Sequence, residues 1–189
     1  MDISEALEKM EIDGFKKLTG PPEDWLKFYN TLTWGFREKP RLHAAWDKIK
    51  SGDIFIFHSI GIEYLFLNEK VQTGIIGFGI INKKEMVNDE VYDGGFDPPN
   101  IRPLKLYFSQ IWLFGKYKEI INETIKEKRD KGDLYILEDI KKLVNNCITF
   151  EEMRNYNCVI STQGAIQNIS KQKQPNLIKL INLHLESEQ

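Results

Sequence analysis

Apolar residues fall at helical spacing along residues 3 to 13, which predicts a short amphipathic helix at the N-terminus. The run GFKKLTG then reads as a strand that ends where Gly20, Pro21 and Pro22 break the pattern. PPEDWLKFYN predicts a second helix, with Pro22 in its first turn and Glu23 and Asp24 where the helix dipole favours acids. A short strand around LTWGF, a loop REKPR and a third helix LHAAWDKIK follow, the helix set by Leu42, Ala45, Trp46 and Ile49 and stopped at Ser51 and Gly52. Asp53 to His58 form a β-rich run, and a loop or hairpin, SIGIEYLFLNEKVQT, leads to GIIGFGII. Glycine at positions 74, 77 and 79 weakens a flat strand but suits one that bends in a small barrel.

The acidic, Gly- and Pro-rich stretch from Asn82 to Arg102 predicts a loop, and LKLYFSQIWLF is the clearest strand in the chain. Lys116 to Arg129 reads as an exposed, charge-laced helix, LEDIKKLV as a short helix, and STQGAIQNIS as a turn and strand. Pro175 precedes a final helix, NLIKLINLH. With no internal repeat and no low-complexity linker, the 189 residues are expected to form one domain, residues 1–13 its N-terminal helix and residues 14–189 the barrel with flanking helices. The fold class expected is α+β, a small β-barrel surrounded by helices.

Composition narrows the function more by exclusion. Lys and Arg number 26 against 28 Asp and Glu, so any nucleic-acid site is a local patch and not a basic coat. No apolar run reaches the roughly 20 residues of a membrane span, and the acidic N-terminus differs from a secretory signal, so a cytoplasmic location without membrane contact is expected. Cys147 and Cys158 lie eleven positions apart without a histidine at ligand spacing, and read as buried free thiols. The chain lacks GxxxxGK[ST], HExxH and GxSxG, and its three histidines are His43, His58 and His184. Gly77-Phe78-Gly79 lacks the third glycine of a dinucleotide fingerprint, and Asp89, Glu90, Asp93 and Asp97 do not match a calcium loop. No catalytic residue, metal or cofactor is expected, and the chain reads as a binder and not an enzyme.

The constellation with chemical content centres on Trp34, followed by Gly35 and by a cationic loop with Arg37, Lys39 and Arg41. A lone strand tryptophan is by itself a core side chain, but an indole beside positive charge also offers a face for a nucleobase and cations for phosphates. The run WGFREKPRLHAAWDKIKSGDIFIFHSI, followed by GIIGFGII, resembles the EVE and YTH branches of the PUA-like superfamily. The matching elements are Trp34, Leu42 to Ala45, Gly52-Asp53, Phe55 with His58-Ser59, and Gly74 to Gly79. TQGAIQNIS is similar to the C-terminal segment of the same domains, so the resemblance runs from about Phe15 to the final helix.

The resemblance implies a PUA-like barrel in which Trp34 is one wall of an aromatic cage for a modified or flipped-out base. It makes Asp24 the polar residue that meets the base edge, with Thr19 nearby. Asp24 equally suits the role of a first-turn acid serving the helix dipole. The second cage aromatic would come from Tyr92 or Phe96, which also serve as loop anchors; no tryptophan stands in that loop, and this departs from the family pattern. Gln163 and Gly164 match the segment that approaches the ligand's phosphate, Thr162 standing where the family has an arginine. His58 and Ser59 end a strand facing the same pocket, although a buried, hydrogen-bonded histidine is the commoner outcome.

The tract KLTGPPEDW resembles the N-terminal specificity domains of McrB-type modification-dependent restriction proteins, particularly archaeal ones. That resemblance implies recognition of DNA carrying modified bases by base flipping, with a AAA+ GTPase motor, absent from this chain, and a nuclease subunit as partners. An RNA-binding domain of the PUA or YTH kind and a small-molecule-binding regulatory domain are the competing classes.

Overall fold

The computed structural model describes residues 1–64, 69–71, 74–87, 91–92, 100–114 and 140–186. The expected helix Lys116 to Arg129 and residues 137–139 of the next one lie outside the described residues. The N-terminal helix α1 (Ile3–Asp13) starts at a capping box, where Asp2 accepts from the Glu5 N–H and the Glu5 carboxylate accepts from the Asp2 N–H. It leads through Gly14 into β1 (Lys16–Gly20), then α2 (Pro22–Thr31), β2 (Thr33–Phe36) and α3 (Pro40–Asp47). Strand β3 (Ile54–Ser59), the hairpin β4 (Ile62–Tyr64) and β5 (Glu69–Val71), and the long β6 (Gly74–Met86) follow.

Residues 82–86 correct the loop expected from Asn82: they continue β6 because β9 (Leu104–Leu113) pairs with them down to Met86 opposite Leu104. Their side chains are mostly exposed, so a polar sequence is compatible with a paired edge. Between them a small ladder joins β7 (Val91–Tyr92) to β8 (Asn100–Ile101). After helical residues 140–145 come β10 (Ile148–Thr149), α4 (Phe150–Asn155), β11 (Ile166–Asn168) and α5 (Gln174–Glu186).

The main sheet runs β11-β1-β3-β6-β9-β2, with β10 paired to β6. Among the described residues only β1 and β3 of this sheet pair in parallel; its other pairs are antiparallel. Although β1 and β2 stand far apart in this order, a Cβ added to Gly20 on β1 would lie 2.4 Å from the Trp34 ring on β2. The sheet therefore curls into a half-barrel, and the chain is α+β, as expected.

Each face of the sheet carries its own core. Phe55 and Phe57 of β3 pack with Leu18, Trp25, Phe28, Trp34 and Phe108, while Ile54 and Ile56 pack with Ala6, Met10, Phe78, Leu177 and Ile181. Burial on both faces accounts for the continuous apolar run of β3, every residue of which is buried. Both cysteines are buried and outside any disulfide, and burial pushes the Cys147 thiol up to about 12, out of reach of thiolate chemistry at neutral pH.

Candidate nucleic-acid interface

Four strand or helix ends meet at one corner of the half-barrel. The parallel pairing of β1 with β3 sets Thr19 beside His58 and Gly20 beside Ser59. A register shift between Phe57 and His58 against β6 re-aims the last two residues of β3. The Gly20 carbonyl accepts from the Trp25 indole N–H at 3.1 Å and from the Ile60 N–H at 3.0 Å, tying the start of α2 to this corner. On the other side, the Thr19 N–H donates to the Ala165 carbonyl at 2.9 Å, which draws in the turn containing Gln163 and Gly164.

Trp34 is 4% exposed and its ring lies against Trp25, with centroids 4.1 Å apart and planes tilted by 35°. Phe28 meets both indoles edge-on, at 5.5 Å from Trp25 and 5.8 Å from Trp34. Only glycine fits at position 20 beside such a ring. Of the three other tryptophans, Trp25 and Trp46 are buried, and Trp112 is partly buried, stacked on Phe78 at 5.0 Å.

Asp24 occupies the first turn of α2 and also forms an ion pair with Arg102 at 2.7 Å, its side chain 11% exposed and that of Arg102 17%. Arg102 immediately precedes Pro103 and β9, and its Cβ lies 3.0 Å from the place a Cβ on Gly35 would take. Asp24 immediately precedes Trp25, and Arg102 packs against Gly35, the residue after Trp34. Sequence reasoning missed Arg102, which was read as the end of a loop; a cation flanked by Pro103 at the mouth of the clearest strand was the available signal.

Thr19 Oγ1 stands 3.4 Å from His58 Nδ1. Desolvation by burial, helped by the charge of Lys17, pushes His58 down to about 4, so it is neutral at pH 7. Ser59 is fully buried. Arg37, Lys39 and Arg41 are exposed on the connection from β2 into α3, Lys39 at the helix cap and Arg41 in its first turn. Gln163 and Gly164 are exposed. Tyr92 lies on β7, its side chain outside the described residues, and Phe96 lies outside them altogether. The structure therefore brings together Thr19, Asp24, Trp34, Gly35, His58, Ser59, Gln163 and Gly164, and adds Gly20, Trp25 and Arg102 to them.

The half-barrel with this corner defines an α+β domain whose strand ends and one helix start surround a tryptophan pair. No family model matches the chain, and no curated protein matches it. Among solved structures it is similar to a Pseudomonas putida protein (12% identity, TM-score 0.43, 88% of this chain and 98% of that one). It is also similar to human THYN1 in complex with 5-methylcytosine-containing DNA (13% identity, TM-score 0.40, 88% and 96%). The DUF55 domain of human thymocyte nuclear protein 1 aligns comparably (13% identity, TM-score 0.41, 89% and 99%). Among the described residues no helix is long and apolar enough to cross a membrane.

Proposed function

We propose that this chain is a non-catalytic, cytoplasmic nucleic-acid-binding domain that admits a flipped-out base to the Trp25–Trp34 corner. The observation that carries the reading is the Trp25–Trp34 contact at 4.1 Å, with Asp24, paired to Arg102, adjacent to Trp25 in α2. Base–aromatic stacking is worth about 1 to 3 kcal/mol, against about 0.5 to 1.5 kcal/mol for an aromatic pair beyond its buried area, so exchanging an indole neighbour for a base is affordable. Asp24 accepts from a base N–H, Arg102 donates to a ring nitrogen or carbonyl, and Arg37, Lys39 and Arg41 supply the exposed cations for the backbone. The His58–Thr19 contact and the Gln163-Gly164 turn complete the wall.

The polymer proposed is DNA, with modified bases as the target, in a modification-dependent restriction system. In this reading the intact protein carries a AAA+ GTPase module and works with a nuclease subunit. That assignment rests on the tract KLTGPPEDW, now seen to run from β1 into α2 and to include both Gly20 and Asp24. Fluorescence anisotropy with matched methylated and unmethylated DNA and RNA oligonucleotides tests it. The expected outcome is DNA binding that Trp34→Ala weakens by at least about tenfold, a loss of one stacking contact. Unchanged affinity in a folded variant would exclude the tryptophan corner, and preference for RNA or for neither polymer would favour the two competing classes.

A further inference from the structure

The core on the other face of the sheet from Trp34 is closed by α1 and α5, whose Ala6, Met10, Leu177, Ile178 and Ile181 pack with Ile54 and Ile56 of β3. The end of α1 meets the start of α5 so closely that a Cβ added to Gly14 would lie 3.1 Å from Gln174 Nε2. A groove of about 770 Å³ runs between the two helices, lined by buried Ile178 and by exposed Ile12 and Leu183. Ile12 is 75% exposed, more than any other large apolar side chain among the described residues. Single exposed apolar side chains are ordinary, but two that border one concave, apolar-floored surface mark a place where a partner seats.

The two walls differ in charge. Glu11 and Asp13 stand on the α1 side, where the helix also ends without a basic residue in its last turn. Lys171 and Lys179 stand on the α5 side, with Glu186 at its far end. Asp13 pairs with Lys9, and Lys179 lies over the Tyr156 ring at 5.9 Å. Glu11, Lys171 and Lys179 form no ion pair among the described residues.

A small-molecule pocket gathers a few buried polar groups that fix its ligand. The buried polar side chains among the described residues are Lys17, Asp24, His58, Ser59 and Lys105, and none of them lines the groove. The lining suits a protein surface instead, one with an apolar knob, cations to face α1 and acids to face α5. A second copy of this chain carries all three. In a symmetric dimer the direction of the two-fold axis decides which walls meet. An axis across the groove would set α1 on α1 and acid on acid. One along the groove sets α1 of each copy over α5 of the other, so acids face lysines on both sides of the axis and each Ile12 enters the opposite groove. The net charge of -2 opposes such pairing only weakly.

We propose that the α1–α5 groove is the face of an isologous homodimer whose two-fold axis runs along the groove, with Ile12 as its apolar anchor. Trp34 belongs to the core on the other face of β3, so this pairing leaves the tryptophan corner uncovered and gives the assembly two of them.

Sedimentation velocity on the whole chain tests the proposal, and no nucleic acid enters the measurement, so its outcome is independent of the binding reading. The wild type is expected to pass from monomer to dimer across the micromolar range. Ile12→Asp is expected to raise the dissociation constant at least about tenfold, because each copy loses a buried isoleucine and buries a charge in its place. Ile12 is exposed in the single chain, so this variant keeps its fold, which far-ultraviolet circular dichroism checks. Glu11→Lys is expected to weaken association, and adding Lys179→Glu to recover it, since the swap restores walls of opposite sign. A dimer built on another surface would show neither the loss nor the recovery, and would overturn the proposal. A wild type that stays monomeric into the millimolar range would overturn it too and give the groove to a different protein.

Discussion

At the scale of single residues, the tryptophan corner combines a packing role with the binding role assigned to it. Removing a buried indole costs about 3 to 5 kcal/mol, so the Trp34→Ala binding measurement belongs beside a denaturation curve, and Trp34→Phe separates the two effects by keeping an aromatic face. His58 makes a second residue-level test. The unfolded chain takes up its proton near 6.5 and the folded chain only near 4, so the unfolded state is favoured progressively as pH falls between those values. Stability from this source is intact above about 6.5, and about 3 kcal/mol of it is lost by pH 4. Urea midpoints at pH 7 and pH 4.5 should lie closer together in His58→Gln than in the wild type.

At the scale of elements, much of the first half was legible. Residues 3 to 13, the strand ending at Gly20, the helix opened by Pro22 and the runs of β2 and β3 all stand where hydrophobic spacing and Gly or Pro breaks put them. The final helix begins at Gln174, so Pro175 sits in its first turn and not before it. β6 was read too short because pairing with β9, set by long-range geometry, keeps a polar sequence in strand form. Helix α4 was missed although Thr149 and Glu152 form a capping box, each side chain accepting from the other's N–H. Thr149→Ala should therefore lower stability by about 1 kcal/mol in thermal or urea denaturation while leaving DNA affinity unchanged. The candidate site was legible only in part: Trp34, Asp24 and Gly164 could be named, but the Asp24–Arg102 pair joins residues 78 positions apart, and nothing local in the sequence announces such a partner.

At the scale of the whole molecule, a net charge of -2 means that attraction to a polyanion has to come from one side of the surface. The exposed cations next in sequence after Trp34 are Arg37, Lys39 and Arg41. If these three carry the phosphate contacts, the logarithm of DNA affinity falls against the logarithm of salt concentration with a slope of about −3. Anisotropy titrations at several salt concentrations read this slope directly, and reversing Arg37 and Lys39 to glutamate should flatten it. A slope near zero would mean that the corner meets its ligand without the backbone.

The Trp25–Trp34 contact has a spectroscopic consequence as well. Two indoles 4.1 Å apart and tilted by 35° are placed to couple their excited states, so an exciton couplet is expected in the circular dichroism of the free protein. A base that enters between them uncouples the chromophores. Under the proposed reading the pair would be an intrinsic optical reporter of occupancy, one that needs no label on the nucleic acid and that would vanish with either tryptophan.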